Sequence, residues 1–477
     1  MIRTKDEYLN SLRGRSLKIW LNGKTVDEPV DHPLIRPSMN ALAETYVLAE
    51  EEPELGMVYS PLAEAEINRF LHVCMTKEDL LMQNRMQRRL GQRTGTCFQR
   101  CVGMDALNAL WSVTWDTDEA HKTRYHENLR AFIRDRQLAG EVIGGAMTDP
   151  KGDRSRPPHL QDDPDLYTRV VERRPDGVVV RGAKMHQTGT INSHWMIIMP
   201  TIRMTEKDKD YAISGAIPVD APGITYIYGR QNSDGRLAEE GAGDCGNALY
   251  GGQESVVIFD DVFIPNELIF MNGEVEAAAP LVDRFTGFHR RSYICKAGVG
   301  DVMIGVSTLA AESNGVQKAS HIRDKVVEMG FLNETIAGTA LAACHEAEQL
   351  PAGNWQPDAM MSNICKHHVT RVPYEISKMA QDIAGGLMVT LPSWHDFDNP
   401  ETGELLRKFI RAVGDPEERR RIMRLMECMT IGRNAVSYLS ESMHGAGSPQ
   451  AQRVLIARLL NLDKKKKLAK RLAGIDE

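Results

Sequence analysis

Hydrophobic periodicity changes character twice along this chain, helical at both ends and alternating in the middle, and that order constrains the fold more than any other feature. From about residue 57 to 142, apolar positions such as Ile67, Phe70 and Leu71, then Leu81, Met82 and Met86, recur at helical spacing. From Asp163 onward strand signals take over. Val170 to Arg173 and Val178 to Arg181 flank a turn at Pro175-Asp176-Gly177, a hairpin pattern, followed by Trp195 to Met199, Tyr211 to Ile217, Ile224 to Tyr228 and Ser255 to Phe263. After Pro280 long helical patterns return over Val299 to Ser313, His321 to Ala347, Met360 to Ala384, Pro416 to Met443 and Pro449 to Leu462. At 477 residues the chain exceeds the size at which one core keeps growing. The expectation is an α+β protein with an N-terminal helical domain over 1–145, a middle β-barrel-like domain over 146–272 and a C-terminal helical bundle over 273–477.

The chemistry-bearing residues stand out against this background. Cys97-Phe98-Gln99-Arg100-Cys101 places two thiols four residues apart, so on a helix both would lie on one face. Far downstream, His289-Arg290-Arg291-Ser292-Tyr293-Ile294-Cys295 adds a third thiol and an imidazole. Three thiolates and one imidazole suit an iron-sulfur cluster with one unusually ligated iron, while core packing is the competing use of helical cysteines. The N-terminal Met1 to Glu7 lacks the apolar core of a signal peptide, and no uninterrupted apolar run approaches membrane-spanning length. A cytoplasmic protein without a membrane is therefore expected, and its eight cysteines read as thiols or ligands rather than disulfides. The net charge of −7 gives no hint of a nucleic-acid partner, and the basic run Lys464 to Lys467 reads as a solvated helix face.

Gly241-Ala242-Gly243-Asp244-Cys245-Gly246 has dinucleotide-fingerprint spacing, but the acidic Leu237 to Glu240 precedes it and the loop-like Asn247 to Gly252 follows, so it reads as a glycine loop. Other strings are more specific. The order helices, β-domain, helical bundle resembles flavoproteins of the acyl-CoA dehydrogenase superfamily. So do Phe259 to Pro265, leaving the β-region, and Gln381 to Gly386, whose paired glycines suit close backbone approach to a flavin or, more plainly, a helix C-cap. Asp31 to Ser38, Cys97 to Ala106, Met147 to Arg154, His186 to Gly189 and Glu441 to Gln450 resemble the 4-hydroxybutyryl-CoA dehydratase/vinylacetyl-CoA Δ-isomerase family from end to end. The 4-hydroxyphenylacetate 3-monooxygenase family is a broader relative without the cysteine ligands.

The resemblance implies a homotetramer acting on an acyl-CoA, with FAD and a 4Fe-4S cluster in each site. It assigns Cys97, Cys101, Cys295 and His289 to the cluster. Met147, Thr148, Asp149, Pro150, Gln187, Thr188 and Gly189 would carry the flavin, with Gly385 and Gly386 reaching it from a neighbouring subunit. Tyr293, Glu254, Lys296, Thr188, Glu441 and His289 would be the catalytic groups. One departure falls at the ligand segment. The family pattern has two glycines between the tyrosine and the last cysteine; this chain has Ile294 alone. The shorter, β-branched link is expected to make the cluster site more labile. The chemistry explains the cofactor pair: loss of water from 4-hydroxybutyryl-CoA needs an unactivated C3 hydrogen and a poor leaving group to depart. FAD supplies one-electron chemistry and an iron a Lewis acid. Without the cluster, the alternatives are a flavin-dependent monooxygenase of a phenol and a CoA-binding relative without redox chemistry.

Overall fold

The computed structural model describes residues 1–232 and 242–475. Twelve strands carry the sheets that matter to the site. In chain order they are β1 (Lys18–Leu21), β2 (Lys24–Val26), β3 (Met57–Ser60), β4 (Ala65–Asn68), β5 (Ile143–Ala146) and β6 (Arg169–Arg174). They continue as β7 (Gly177–Thr188), β8 (Trp195–Ile198), β9 (Ile213–Pro218), β10 (Ile224–Tyr228), β11 (Glu254–Pro265) and β12 (Ile269–Asn272). One sheet has the order β2-β1-β10-β11-β7-β6 and a second the order β12-β9-β8-β5. The middle region is thus two open sheets, and the barrel-like closure expected from sequence does not occur. The outer strand β6 ends in exposed Glu172, Arg173 and Arg174, charges that discourage further pairing at a sheet edge.

Alternation explains the packing. Strand β11 buries Val257 and Phe259 and, after a bulge between Phe259 and Val262, buries Val262 and Ile264. Asp261, with φ of 54°, stands at that bulge. These side chains meet Val178, Val180, Ile213, Ile217 and Tyr226 in one core between the sheets. The N-terminal segment contributes too, because β1 pairs in parallel with β10.

Helices flank the sheets on both sides in sequence. Before them run Arg36–Glu51, Lys77–Thr94, Cys101–His121 and Tyr125–Ala139. The reading of 57–142 as helical needs correcting at its start: β3 and β4 form a hairpin there, followed by a 3₁₀ turn over Arg69–Leu71. Ile67, Phe70 and Leu71 share a side because a strand end and a tight turn can mimic helical spacing over so few residues. Lys77–Thr94 begins in a capping box of Thr76 and Asp79 and ends at Gly95, whose φ is 60°.

After the sheets, Val275–Arg291, a 3₁₀ turn at Ser292–Ile294 and Cys295–Ser313 form one helical run. The run is long and apolar enough to cross a membrane by length and composition, with a mean hydropathy of 1.4 in its most apolar window, but charged residues such as Lys296 and Asp301 interrupt it and 67% of that window is buried inside the protein, as in a core helix. The pattern over 360–384 splits into Ala359–Val369 and Val372–Ala384, since Pro373 lacks an N–H and disfavours helical geometry before it. The pattern over 416–443 breaks after Pro416–Thr430. It resumes as Arg433–Ala435, a π-helical turn at Val436–Ser440 and Glu441–His444. The basic run Lys464–Lys467 lies on the exposed helix Leu462–Leu472. Of the glycine loop, Leu237 to Gly241 lie outside the described residues, and Ala242–Asp244 form a 3₁₀ turn.

Candidate functional site

The three thiols come from two places. Cys101 opens the helix Cys101–His121, but Cys97 lies in the loop before it, so the two do not share a helix face as the four-residue spacing suggested. The loop turns at Gln99, whose φ is 64°. The buried Gln99 amide holds that turn by donating to the carbonyls of Ser38, Cys97 and Gly251, at 3.0, 3.2 and 2.9 Å, while Asn192 donates to its oxygen at 2.8 Å. Cys295 opens the third helical segment. Cys97, Cys101 and Cys295 are only 5, 8 and 7% exposed. They lie near enough to perturb one another. Burial first, then neighbouring Glu441 and thiols, pushes the Cys97 thiol well above its ordinary value; burial and Cys97 do the same to Cys101. Cys295 is pushed up to about 11 by burial, against the pull of Lys296. Such thiols give up their protons to a metal rather than to water.

Ile294 is accommodated without strain. It has φ −55° and ψ −23°, an ordinary right-handed conformation, so the missing glycines are replaced by a continuous 3₁₀-to-α transition. Close helix packing fixes Cys295. A Cβ on Gly91 would collide with the Cys295 carbonyl, and one on Gly298 with the Arg88 carbonyl, so the helix Lys77–Thr94 lies directly against this segment.

His289 is the fourth expected donor. Its Nδ1 lies 2.8 Å from Asp105 Oδ2, and Ser292 Oγ donates to Asp105 Oδ1 at 3.1 Å. Asp105 is fully buried one turn beyond Cys101, and a carboxylate there can accept a hydrogen bond from Nδ1–H, which would leave the Nε2 lone pair as ligand or base. Sequence reasoning missed Asp105, although its four-residue offset from Cys101 was a usable signal. Among the described residues, no three His, Cys, Asp or Glu side chains converge to bind a single ion. A cubane cluster asks for something else, because each iron takes its own protein ligand and the ligands surround a body rather than meet at a point. The donor set and its burial fit such a group.

The side chains expected to move protons lie near the thiols. Glu254 begins β11 opposite Thr188 at the end of β7, and the Thr188 hydroxyl donates to its two oxygens at 2.7 and 2.8 Å. Burial and then Glu441 hold the Glu254 carboxyl well above the usual range, with Thr188 and Lys296 opposing. Glu441 follows the π-helical turn, a widened turn that recurs at functional sites. Lys296 Nζ lies 3.2 Å from Glu441 Oε1 and donates to the Ser437 carbonyl at 2.8 Å. Burial disfavours that ammonium, but Glu441, Cys295 and Cys97 hold it above its ordinary value. The Tyr293 ring meets His289 edge-on at 5.5 Å between centroids, and its hydroxyl overlies Gly445, where any Cβ would collide with it. Burial and Glu441 push that phenol well up. A further residue not foreseen from sequence, Lys366, faces the same ring.

Around the expected flavin segment, Asp149 and Gln187 are turned inward. Asp149 pairs with the buried Lys184 at 2.7 Å and accepts from the Thr168 amide at 3.1 Å and from the Thr201 hydroxyl. The Gln187 side chain accepts from the Met147 amide at 3.2 Å. Gly189, with φ of 70°, stands so close to Gln99 that a Cβ would reach the Gln99 carbonyl at 2.6 Å. Met147, Thr148 and Pro150 are left half-buried at the surface of the loop. Gly385, with φ of 74°, and Gly386 face open space.

Residues 4–271 match the model of the 4-hydroxyphenylacetate 3-hydroxylase N-terminal region and residues 278–474 that of its C-terminal region, which defines the broad class. The chain shares 51% identity over 489 aligned positions, covering 100% of both proteins, with 4-hydroxybutyryl-CoA dehydratase/vinylacetyl-CoA-Δ-isomerase of Clostridium aminobutyricum. The structure of an oxygen-tolerant archaeal 4-hydroxybutyryl-CoA dehydratase from N. maritimus superposes with a TM-score of 0.99 at 58% identity, covering 100% of this chain and 96% of that one. Within the broad class, the chain belongs to the 4-hydroxybutyryl-CoA dehydratase/vinylacetyl-CoA-Δ-isomerase family. The oxygenase component of 4-hydroxyphenylacetate 3-monooxygenase complexed with FAD shares the fold, with a TM-score of 0.88 at 23% identity over 99% of this chain and 98% of that one. At the level of fold alone the likeness extends to glutaryl-coenzyme A dehydrogenase, with a TM-score of 0.52 at 12% identity over 96% of this chain and 95% of that one, in keeping with the acyl-CoA dehydrogenase-like expectation.

Proposed function

We propose that this protein dehydrates 4-hydroxybutyryl-CoA to crotonyl-CoA and isomerises vinylacetyl-CoA, using FAD and a 4Fe-4S cluster. The observation that carries the reading is the gathering of Cys97, Cys101, Cys295 and the Asp105-oriented His289 beside Glu254, Glu441, Lys296 and Tyr293 in one buried site. Full-length identity to a protein of that name supports it. Cys97, Cys101, Cys295 and His289 would hold the cluster; Met147, Thr148 and Pro150 would face the flavin, with Asp149 and Gln187 shaping the loop from behind. When bound, the flavin supplies one-electron chemistry and the cluster Lewis acidity toward a hydroxyl.

The chain's own residues supply the proton chemistry. His289, oriented by Asp105, would offer Nε2 as a ligand or a base for the C2 proton beside the thioester. Glu254, kept protonated by burial, has a proton to give, and Thr188 fixes its direction. Glu441 stands beside it as the ion-pair partner of Lys296. The Tyr293 hydroxyl, which overlies Gly445, would be presented to a substrate oxygen. Isomerisation needs only proton movement between C2 and C4, so it depends on these groups more than on the cluster.

The assembly proposed is a homotetramer. The open Gly385-Gly386 turn and the exposed Val389, Phe409 and Leu472 lie on C-terminal elements where a neighbour would cover them. The test of the function is a pair of anaerobic assays. The expected result is turnover of both CoA esters, with Cys97→Ala losing dehydration while keeping more of the isomerisation. Protein that turns over neither ester, yet consumes oxygen with a phenol and reduced flavin, would establish the monooxygenase reading instead.

A further inference from the structure

Lys366 is fully buried on the helix Ala359–Val369 and has no role in the proton chemistry above. Its ammonium donates to the Ser442 carbonyl at 2.5 Å and lies 4.6 Å from the centroid of the Tyr293 ring. Among the described residues no carboxylate lies in ion-pair range of it, whereas Lys296, 5.7 Å from the same ring centroid, has Glu441. A buried cation without an anion is costly, and an aromatic face with one carbonyl only partly offsets that cost. Burial, with Arg290 and Lys296 adding to it, pushes the Lys366 ammonium down to about 7, while Cys365 and Glu441 pull the other way. A hydrophobic side chain of the same length would fold here at lower cost, so the retained charge calls for a use.

We propose that Lys366 is a positioning residue: its ammonium locks the Tyr293 ring against the Glu441–Gly445 turn, so that the phenol hydroxyl and the Glu441 carboxylate present themselves to the substrate together. The parts of this lock are all tied to one another. Ser442 is the residue after Glu441, the Tyr293 hydroxyl overlies Gly445, and Arg290 holds the next residue by donating to the Ala446 carbonyl at 3.1 Å and anchors to Asn363 on the Lys366 helix at 2.6 Å. Without the ammonium, the ring and the turn are joined only by apolar contact. This inference rests on the reading of Tyr293 and Glu441 as working groups.

The experiment uses the full-length, anaerobic, cofactor-loaded protein and follows vinylacetyl-CoA isomerisation. Lys366→Met and Lys366→Gln are expected to retain FAD and iron while kcat falls about 30-fold and KM stays within about 2-fold, the pattern of a misplaced group rather than lost binding. Lys366→Arg, which keeps a cation over the ring, is expected to stay within about 5-fold of wild type. In a Tyr293→Phe background, Lys366→Met should cost less than about 3-fold, because the two act as one unit. If Lys366→Met does not fold, Lys366→Gln and Lys366→Arg give the same comparison. An active wild type whose neutral Lys366 variants keep kcat within about 3-fold, or lose it equally with and without the Tyr293 hydroxyl, overturns the inference alone. A wild type that turns over neither CoA ester overturns the functional reading and this inference with it.

Discussion

At the scale of single residues, the site depends on groups that hold others in place. Asp105 contacts His289 Nδ1 and so would orient the ring, and replacing such an outer partner typically costs 10–100-fold in metal affinity or activity. Asp105→Asn is therefore expected to lower iron content and dehydration by about 10-fold or more while FAD remains, measured by iron analysis beside the flavin spectrum. Glu254 gives a pH-dependent expectation. Its folded-state pKa is raised, so the folded protein keeps that proton after the unfolded chain has released it, above about pH 4.5. Wild-type stability then falls as pH rises through the folded value, whereas Glu254→Gln has no such proton to lose. The Tm of Glu254→Gln minus that of wild type should accordingly grow from pH 5 to pH 8, and isomerisation by the variant should drop by about 100-fold or more. A Tm difference that shrinks with rising pH would show that burial does not hold Glu254 protonated. The sequence reading named the thiols, His289 and Tyr293 from two short segments, and Glu254, Lys296 and Glu441 as what the family resemblance implies. It passed over Asp105 and Lys366, since a lone acid or lysine in a helix gains meaning only from what it faces.

At the scale of elements, turns and close helix approach place the chemistry. The four-residue spacing of Cys97 and Cys101 suggested a helix, but the left-handed Gln99 and its four amide contacts make a loop that meets the helix at Cys101. Spacing could not show this, because the loop is stabilised by Ser38, Gly251 and Asn192, all distant in sequence. The shortened link at Ile294 was legible as a departure, and its consequence was not: Gly91 and Gly298, on separate helices, set the position of Cys295. Gly91→Ala should force those helices apart at a cost of about 1–3 kcal/mol, seen as a lower Tm, and should lower iron content with FAD retained. An unchanged Tm and iron content would mean that the helices do not need this close approach.

At the scale of the whole molecule, the order helices, sheets, helices was legible because hydrophobic period changes are a property of long stretches. Closure of the sheets was not, since it depends on which strands pair. Strands β1 and β2, far upstream, join the same sheet as β10 and β11, while the sheet edges stay open. The proposed cluster and flavin would sit together where this β-region meets the helical run 275–313. In solution the protein is expected to have the mass of a tetramer, and a monomer that still holds FAD would contradict the subunit arrangement proposed for Gly385 and Gly386. The most direct test of the central claim is iron and acid-labile sulfide per chain in anaerobically purified protein, wild type beside Cys295→Ala. About four irons and four sulfides per chain are expected in the wild type, with a marked loss in the variant while FAD stays bound. Wild-type protein that holds FAD but no iron or sulfide would contradict it.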